Sequence, residues 1–153
     1  MGEGLQHRIK QKTFASVYME AHLSLLVAAD HLTRHTEEIC EQYGITSAQY
    51  NVLRILRGVH PDGHPRCEII ERMINAAPDV TRLIDRLVKA GFARRGKSEA
   101  DGRLSLTFIT EKGLGLLTTM QPEIEDSERL LASRLSDKQA RTLANLCEKL
   151  YGE

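Results

Sequence analysis

The sequence contains no tryptophan, and its aromatic residues amount to only 5% of the chain. This scarcity argues weakly against modules that bind single-stranded nucleic acids by stacking bases on exposed aromatic side chains. Its three cysteines, Cys40, Cys67 and Cys147, are scattered and include no CxxC pair. A disulfide framework and a structural zinc site of the finger type are therefore not expected.

Long apolar runs are also missing. The longest, residues 23–29, is interrupted by Ser24, and no run reaches the roughly 18 residues that a membrane-spanning helix needs. The first dozen residues contain no apolar region of the kind that a signal peptide needs. Gly-rich phosphate loops, nucleophile elbows and HExxH motifs do not occur. We therefore expect a cytoplasmic protein without a membrane partner that is not an enzyme and needs no cofactor.

The net charge is zero, with 21 basic and 21 acidic residues. The charges are not evenly distributed, because residues 80–103 contain seven basic and only three acidic side chains. A local basic patch on a neutral protein is typical of a sequence-specific DNA reader. A solvated surface of no function would have the same composition.

The spacing of apolar residues predicts a long helix over residues 13–43 that ends before Gly44. A second helix is expected to start at Thr46, which can form a capping box with Gln49. The segment 58–65 is rich in Pro and Gly and is predicted to be a loop.

A helix-turn-helix is predicted next. A short helix is expected over residues 66–74, with Ile69, Ile70 and Met73 directed inward, and a turn at residues 75–77. The following helix is predicted to begin at Pro78, because a proline suits the first helical position. Its apolar stripe consists of Val80, Leu83, Ile84 and Leu87.

Two strands and two helices complete the pattern. The strands are predicted at residues 92–97 and 104–108, joined across an Asp-Gly turn signal, with Leu104, Leu106 and Phe108 alternating with polar residues. Thr110 is a good N-cap for the next helix, which Pro122 is expected to kink or break. Ser136 and Gln139 form another capping box, which opens the last helix.

This order predicts a mainly α fold with a small β-hairpin (α+β), a winged helix-turn-helix in one domain over residues 1–153. Residues 46–109 are expected to form the DNA-binding module, and residues 13–43 and 111–153 the dimerisation helices. A helix of about 30 residues spans about 45 Å, more than one winged module can cover. We therefore expect a homodimer and consider a monomeric bundle the alternative.

The recognition helix and the hairpin carry the side chains expected to contact DNA. Arginines of the helix can grip guanine, Lys89 suits a phosphate, and an arginine at the wing tip suits a narrow minor groove. Asp79 can contact cytosine or hold Arg82, and Asp101 is expected to orient Arg103 through a carboxylate–guanidinium pair. The predicted DNA-binding residues are Asp79, Thr81, Arg82, Arg86, Lys89, Arg94, Arg95, Lys97, Asp101 and Arg103.

Three stretches resemble, in order, motifs of the multiple antibiotic resistance regulator (MarR) family. They are ITSAQYNVL at residues 45–53, VTRLIDRL at residues 80–87, and Asp101-Gly102-Arg103 followed by ITEKG at residues 109–113. The resemblance implies a homodimeric transcription factor that binds double-stranded DNA, and a small-molecule effector between its dimerisation and DNA-binding parts. Two-fold symmetry predicts a pseudo-palindromic operator. Residues 76–79 lack the small hydroxyl residues usual in the family, so we expect an unusual base preference.

Other functions stay open at this point. His31, His35 and Tyr50 are candidates for an effector pocket, and no third ligand accompanies the two histidines to make a metal site. Cys40 is a candidate redox switch, although a cysteine on an apolar helix face usually serves packing. A winged helix that binds another protein instead of DNA is the alternative from a different functional class.

Overall fold

The structure, a computed structural model, describes residues 3–152. Within that range the chain forms seven helices and two strands. They are α1 Glu3–Ile9, α2 Val17–Gln42, α3 Ser47–Arg57, α4 Arg66–Arg72, α5 Val80–Lys89, β1 Ala93–Lys97, β2 Ser105–Ile109, α6 Glu111–Arg134 and α7 Asp137–Tyr151. The predicted mainly α fold with a β-hairpin is confirmed.

The N-terminal region differs from the prediction. The long helix α2 starts at Val17 and not at residue 13, because Ser16 adopts an extended conformation and its hydroxyl accepts a hydrogen bond from the Met19 amide at 3.1 Å. The separate helix α1 before it was not predicted. The C-terminal end of α2 is as expected, since Gly44 follows with a φ of 73° that suits a glycine.

The two predicted capping boxes are confirmed. The Thr46 hydroxyl accepts from the Gln49 amide at the start of α3, and the Gln49 side chain accepts from the Thr46 amide. Ser136 and Gln139 form the same reciprocal pair at the start of α7. In both places two backbone N–H groups that lack helical partners are satisfied by neighbouring side chains.

The helix-turn-helix consists of α4, the turn 73–79 and α5. The prediction that α5 begins at Pro78 was wrong: Asp79 is the N-cap, and its carboxylate accepts from the Arg82 amide at 2.9 Å. An aspartate side chain accepts a hydrogen bond from an unpaired N–H at the start of the helix. A proline only lacks an N–H of its own and provides no acceptor side chain. Ile69 is fully buried in α4, but Ile70, also expected inside, is 46% exposed because the short helix buries only one stripe.

The strands pair antiparallel, with Ala93 opposite Ile109 and Lys97 opposite Ser105. Thr107 and Ile109 face the core, whereas Leu106 and Phe108 lie half-buried on the other face. The side chains of β2 therefore alternate as predicted, but the set with Leu106 and Phe108 faces outward and the set with Thr107 faces the core. The backbone of His64 also pairs with Thr107, so the end of the predicted loop 58–65 lies along the outer edge of β2.

The core lies among α3, α5 and α6. The largest fully buried side chains include Leu53 and Leu56 of α3, Leu87 of α5, and Leu117 and Met120 of α6. Burial of each such side chain contributes about 1.5–3 kcal/mol to the free energy of unfolding. The apolar stripe predicted for the recognition helix is thus the face that holds it on the domain.

Helix α6 continues through Pro122, which was expected to kink or break it. A proline inside a helix lacks one hydrogen-bond donor, but the packing on both sides of it is retained here. Met120 is buried before Pro122, and Ile124 packs against the core after it. The Tyr43 hydroxyl also donates to the Glu123 carboxylate, which joins α6 to the end of α2.

Two glycines near the start of α6 provide a matched test of this packing. A Cβ at Gly113 would collide with the Phe92 carbonyl oxygen, whereas a Cβ at Gly115 would meet no atom within 4 Å. Gly113→Ala should lower the free energy of unfolding by about 2 kcal/mol or more. Gly115→Ala should raise it by up to about 1 kcal/mol, because alanine favours a helix. Urea denaturation measures both, and equal effects would contradict the close approach of α6 to the hairpin.

Candidate nucleic-acid interface

The exposed face of α5 begins at its cap. Val80, Ile84 and Leu87 are buried, so the first turn presents Arg82 outward. The Arg82 Nε lies 3.6 Å from Asp79 Oδ2, and the two side chains remain 70% and 53% exposed. The proposed role of Asp79 in holding Arg82 therefore fits the geometry, and the guanidinium still has most of its surface free for a ligand.

Thr81, also in the first turn of α5, accepts a hydrogen bond from the Arg66 Nη1 at 3.2 Å. Arg66 is the first residue of α4 and is exposed. It was not among the residues predicted from the sequence, because residues 66 and 81 are brought together only by the crossing of the two helices. The available signal was a cation at the start of the first helix of a helix-turn-helix, the helix that crosses the DNA backbone.

Arg86 and Lys89 are exposed on the same helix, and neither forms an ion pair within residues 3–152. Both side chains lie on the outer face of α5, as the sequence predicted. Both lie in the last turn, so they are placed further along the helix than Arg82. An anionic partner can therefore pair with their charges without breaking an ion pair within the protein.

Asp85 pairs with Arg95, which connects α5 to strand β1. Both side chains are about half exposed, so the pair adds little to stability. Its effect is geometric, because it fixes the wing beside the recognition helix and uses one of the predicted DNA-binding charges. Asp85 forms no ion pair with Lys89, one turn further along the same helix.

The rest of the wing strand is basic and exposed. The Arg94 guanidinium lies 4.1 Å from the centre of the Phe108 ring, across the strand pair. Such a stack keeps the cation near the surface and restrains its orientation. Lys97, at the end of β1, is exposed without an ion pair among the described residues.

The wing tip differs from the prediction in one contact. Asp101 Oδ1 accepts from the backbone N–H of Arg103 at 3.0 Å, and its own amide donates to the Ser98 hydroxyl. The carboxylate thus organises the turn, and within residues 3–152 it does not pair with the Arg103 guanidinium. A short aspartate side chain reaches the amide two residues on more readily than the end of a long arginine. Arg103 itself is exposed at the tip.

A cavity of about 460 Å³ lies beside the turn that precedes the recognition helix. Its walls come from four parts of the chain: Thr33 and Thr36 of α2, residues 47–54 of α3 in part, residues 73–78 of the turn, and Ile124, Ser127 and Glu128 of α6. Burial raises the pKa of Tyr50, which lines the cavity. Its hydroxyl is protonated at neutral pH even without this shift and can donate to a ligand.

The two histidines expected beside Tyr50 are elsewhere. Neither His31 nor His35 lines this cavity, and His31 instead lies beside a smaller hollow between α1 and α2. Residues at an i, i+4 spacing share one face of α2, and Thr33 and Thr36 belong to the face that meets the cavity. Within residues 3–152 no group of three His, Cys, Asp or Glu side chains could hold a metal ion.

Cys40 is fully buried in the core. Its burial, with a smaller contribution from Glu37, raises the pKa of the thiol to about 11. Redox sensors need an accessible thiol with a lowered pKa. The environment of Cys40 therefore argues for a packing role and against the redox role considered from the sequence.

Comparison with known proteins identifies the family. The model of the MarR family matches residues 45–105. A MarR transcription factor from Planctomyces limnophilus is 34% identical in a solved structure, with a TM-score of 0.67, and the match covers 89% of this chain and 98% of that one. The chain belongs to the MarR family. It is therefore a DNA-binding transcriptional regulator with a winged helix, and the family consists of regulators, not enzymes.

A curated regulator is similar in sequence, and a further solved structure has the same fold. The HTH-type transcriptional regulator MhqR of Bacillus subtilis is 25% identical over 121 residues, which is 79% of each chain. A structure of Bordetella bronchiseptica BpsR, whose DNA binding is regulated by 6-hydroxynicotinic acid, has a TM-score of 0.77 at 20% identity and covers 93% of this chain and 99% of that one. Within residues 3–152 of this MarR regulator, no helix is long and apolar enough to cross a membrane.

Proposed function

We propose that this MarR regulator binds a pseudo-palindromic operator as a homodimer and represses transcription until a small-molecule effector occupies its cavity. The observation that carries the proposal is the set of exposed basic side chains on α5 and the wing, two elements that the Asp85–Arg95 pair joins. On a chain of zero net charge, this surface concentrates positive potential where a winged helix meets double-stranded DNA.

Within this surface the residues take different parts. Arg82, in the first turn of α5, is placed to read a base edge, and Arg86 a base or a phosphate. Lys89, Arg94 and Lys97 contact phosphates. Arg103 enters the minor groove from the wing tip. Asp79, Thr81, Arg95 and Asp101 act mainly through their neighbours, since each makes a contact within the protein that fixes the reading elements.

The homodimer is supported by apolar surface at the two ends of the chain. The structure leaves no residue of α7 buried, although the helix is amphipathic. Exposed large apolar side chains cluster on α2 and α7, including Val17, Tyr18, Leu26, Leu146, Leu150 and Tyr151. A patch of this kind marks an interaction surface. We assign α2, α6 and α7 to dimerisation and residues 46–109 to DNA binding.

The effector site is supported by the position and chemistry of the cavity. It lies between the proposed dimerisation helices and the turn that precedes the recognition helix. Ile124, Met73 and Ala77 give it an apolar wall, and Arg54 and Tyr50 provide donors. Such a lining suits a small amphipathic molecule with an anionic or hydroxyl group. Regulation of BpsR by 6-hydroxynicotinic acid agrees with an effector of this class.

Two substitutions on α5 test the DNA contacts. Arg82→Ala should weaken binding to an operator selected from random duplexes by about 1–3 kcal/mol and relax specificity at one symmetric pair of positions. Lys89→Ala should weaken operator and random duplexes alike. It should also reduce the slope of log affinity against log salt by about one for each phosphate that the variant no longer neutralises. Fluorescence anisotropy at several salt concentrations measures both.

Arg141→Ala, which removes another exposed arginine, from α7, is the matched control and should leave both quantities unchanged. Duplex binding that does not depend on salt would contradict the proposal. So would an Arg82→Ala variant that still discriminates fully between the operator and random duplexes. Such a result would favour the winged helix as a protein-interaction module.

Substitutions on α7 test the dimer. Leu146→Asp combined with Leu150→Asp should yield a monomer, because two charges would have to be buried at the interface. Light scattering at micromolar concentration measures the mass. Lys138→Asp, at the exposed start of the same helix, controls for added negative charge and should remain dimeric. A wild-type monomer would contradict the proposed assembly.

A wider side chain in the cavity tests the effector site. Compounds from a panel of hydroxylated aromatic acids that raise the Tm of the wild type, as a bound ligand must, should also weaken operator binding. Both effects should disappear in Ala48→Trp, since Ala48 lines the cavity, and persist in Ala132→Trp on the exposed face of α6. An equal response of the two variants would place the effector elsewhere.

A further inference from the structure

The turn between α4 and α5 is held to the rest of the module by one polar contact. The backbone N–H of Ile74 donates to Asn51 Oδ1 of α3 at 2.9 Å. Within residues 3–152, no other hydrogen bond joins residues 73–79 to a helix outside α4 and α5. Ile74 is 80% exposed, so its side chain adds little packing to the attachment.

The position of this contact determines what it restrains. Ile74 lies five residues before Asp79, the N-cap of α5, and the exposed residues Asn75, Ala76 and Pro78 lie between them. The first turn of α5, with Arg82, directly follows this segment. A displacement of the turn would therefore shift the N-terminal end of the recognition helix relative to the domain.

Asn51 suits this function for two reasons. Its side-chain oxygen is an acceptor and pairs with the N–H of Ile74. This hydrogen bond determines the orientation of the Asn51 side-chain amide. It projects from the middle of α3, whose neighbouring residues Val52 and Leu53 are fully buried. The acceptor is thus fixed to a helix that is anchored in the core, while the donor belongs to the exposed turn.

We propose that Asn51 is a positioning residue for DNA recognition, because its hydrogen bond to the Ile74 amide holds the start of the recognition helix in the orientation that reads the operator. The inference rests on the proposed DNA contacts of α5. It also concerns the cavity, since Asn51 and Ile74 both line it, so a molecule bound there touches both partners of the contact.

Three variants test the proposal. Asn51→Ala removes the acceptor and should weaken operator binding about fivefold, the factor expected for one net hydrogen bond. The same variant should accelerate hydrogen exchange of the Ile74 amide, measured by NMR without DNA. Asn51→Asp keeps an acceptor oxygen of the same reach and should restore both the protection of this amide and most of the affinity.

Asn75→Ala is the matched control, because Asn75 lines the same cavity and makes no side-chain hydrogen bond within residues 3–152. It should bind the operator like the wild type. The proposal is overturned if Asn51→Ala leaves either the Ile74 exchange rate or the operator affinity unchanged, or if Asn75→Ala weakens binding equally. Failure of the proposed α5 contacts would appear separately, as an Arg82→Ala variant with full specificity, while the exchange rate is read without DNA.

Discussion

The DNA-binding module depends on the burial of one face of α3. Val52, Leu53 and Leu56 on that face are fully buried, and the helix contacts α2, α4, α5, α6 and β2. Because these elements all pack on α3, the recognition helix, the hairpin and the long helices keep fixed relative positions. Removal of a large side chain there would leave a cavity and destabilise the whole module, not one element of it.

Electrostatics shape the proposed DNA-binding surface by restraining some cations and leaving others free. Asp85 holds Arg95, and Asp79 holds the first turn of α5 with Arg82 beside it. Arg86 and Lys89 have no such partner within the described part of the chain. The acidic residues in this basic segment therefore set geometry, and they also lower the net attraction to any duplex regardless of sequence. A larger share of the affinity then depends on contacts made at the operator.

Local patterns predicted much of this structure. The stripe of α5, the two capping boxes and the Asp-Gly turn depend on residues whose successive members are within four positions of one another, and all were found where the sequence placed them. Contacts between distant residues were not accessible in this way. The pairing of Arg66 with Thr81 requires the crossing of two helices, and the strand-like pairing of His64 requires the hairpin edge.

Local competition explains the remaining differences. Asp79 and Pro78 were both suitable at the start of α5, and the aspartate prevailed because it supplies an acceptor for an unpaired N–H. The face of β2 could not be assigned by hydropathy, since Phe108 is shielded by Arg94 on the outer side while Thr107 is buried opposite. The charged residues proposed for the site lie in the elements where the sequence placed them, but their pairing was decided by which carboxylate each could reach.

The cavity borders both the helices proposed for dimerisation and the turn that leads into the recognition helix. Its walls belong partly to α2 and α6, two of the helices proposed for dimerisation, and partly to the turn before α5. The turn has a single polar attachment to α3 and a largely exposed Ile74, and its apolar packing comes from the partly buried Met73 and Ala77, so less free energy opposes its displacement than that of a fully buried element. A ligand changes the equilibrium between two positions of the turn only by the difference in its affinity for them. A molecule in contact with both rigid helices and a weakly held turn can have such a difference, and the start of the recognition helix would move with the turn.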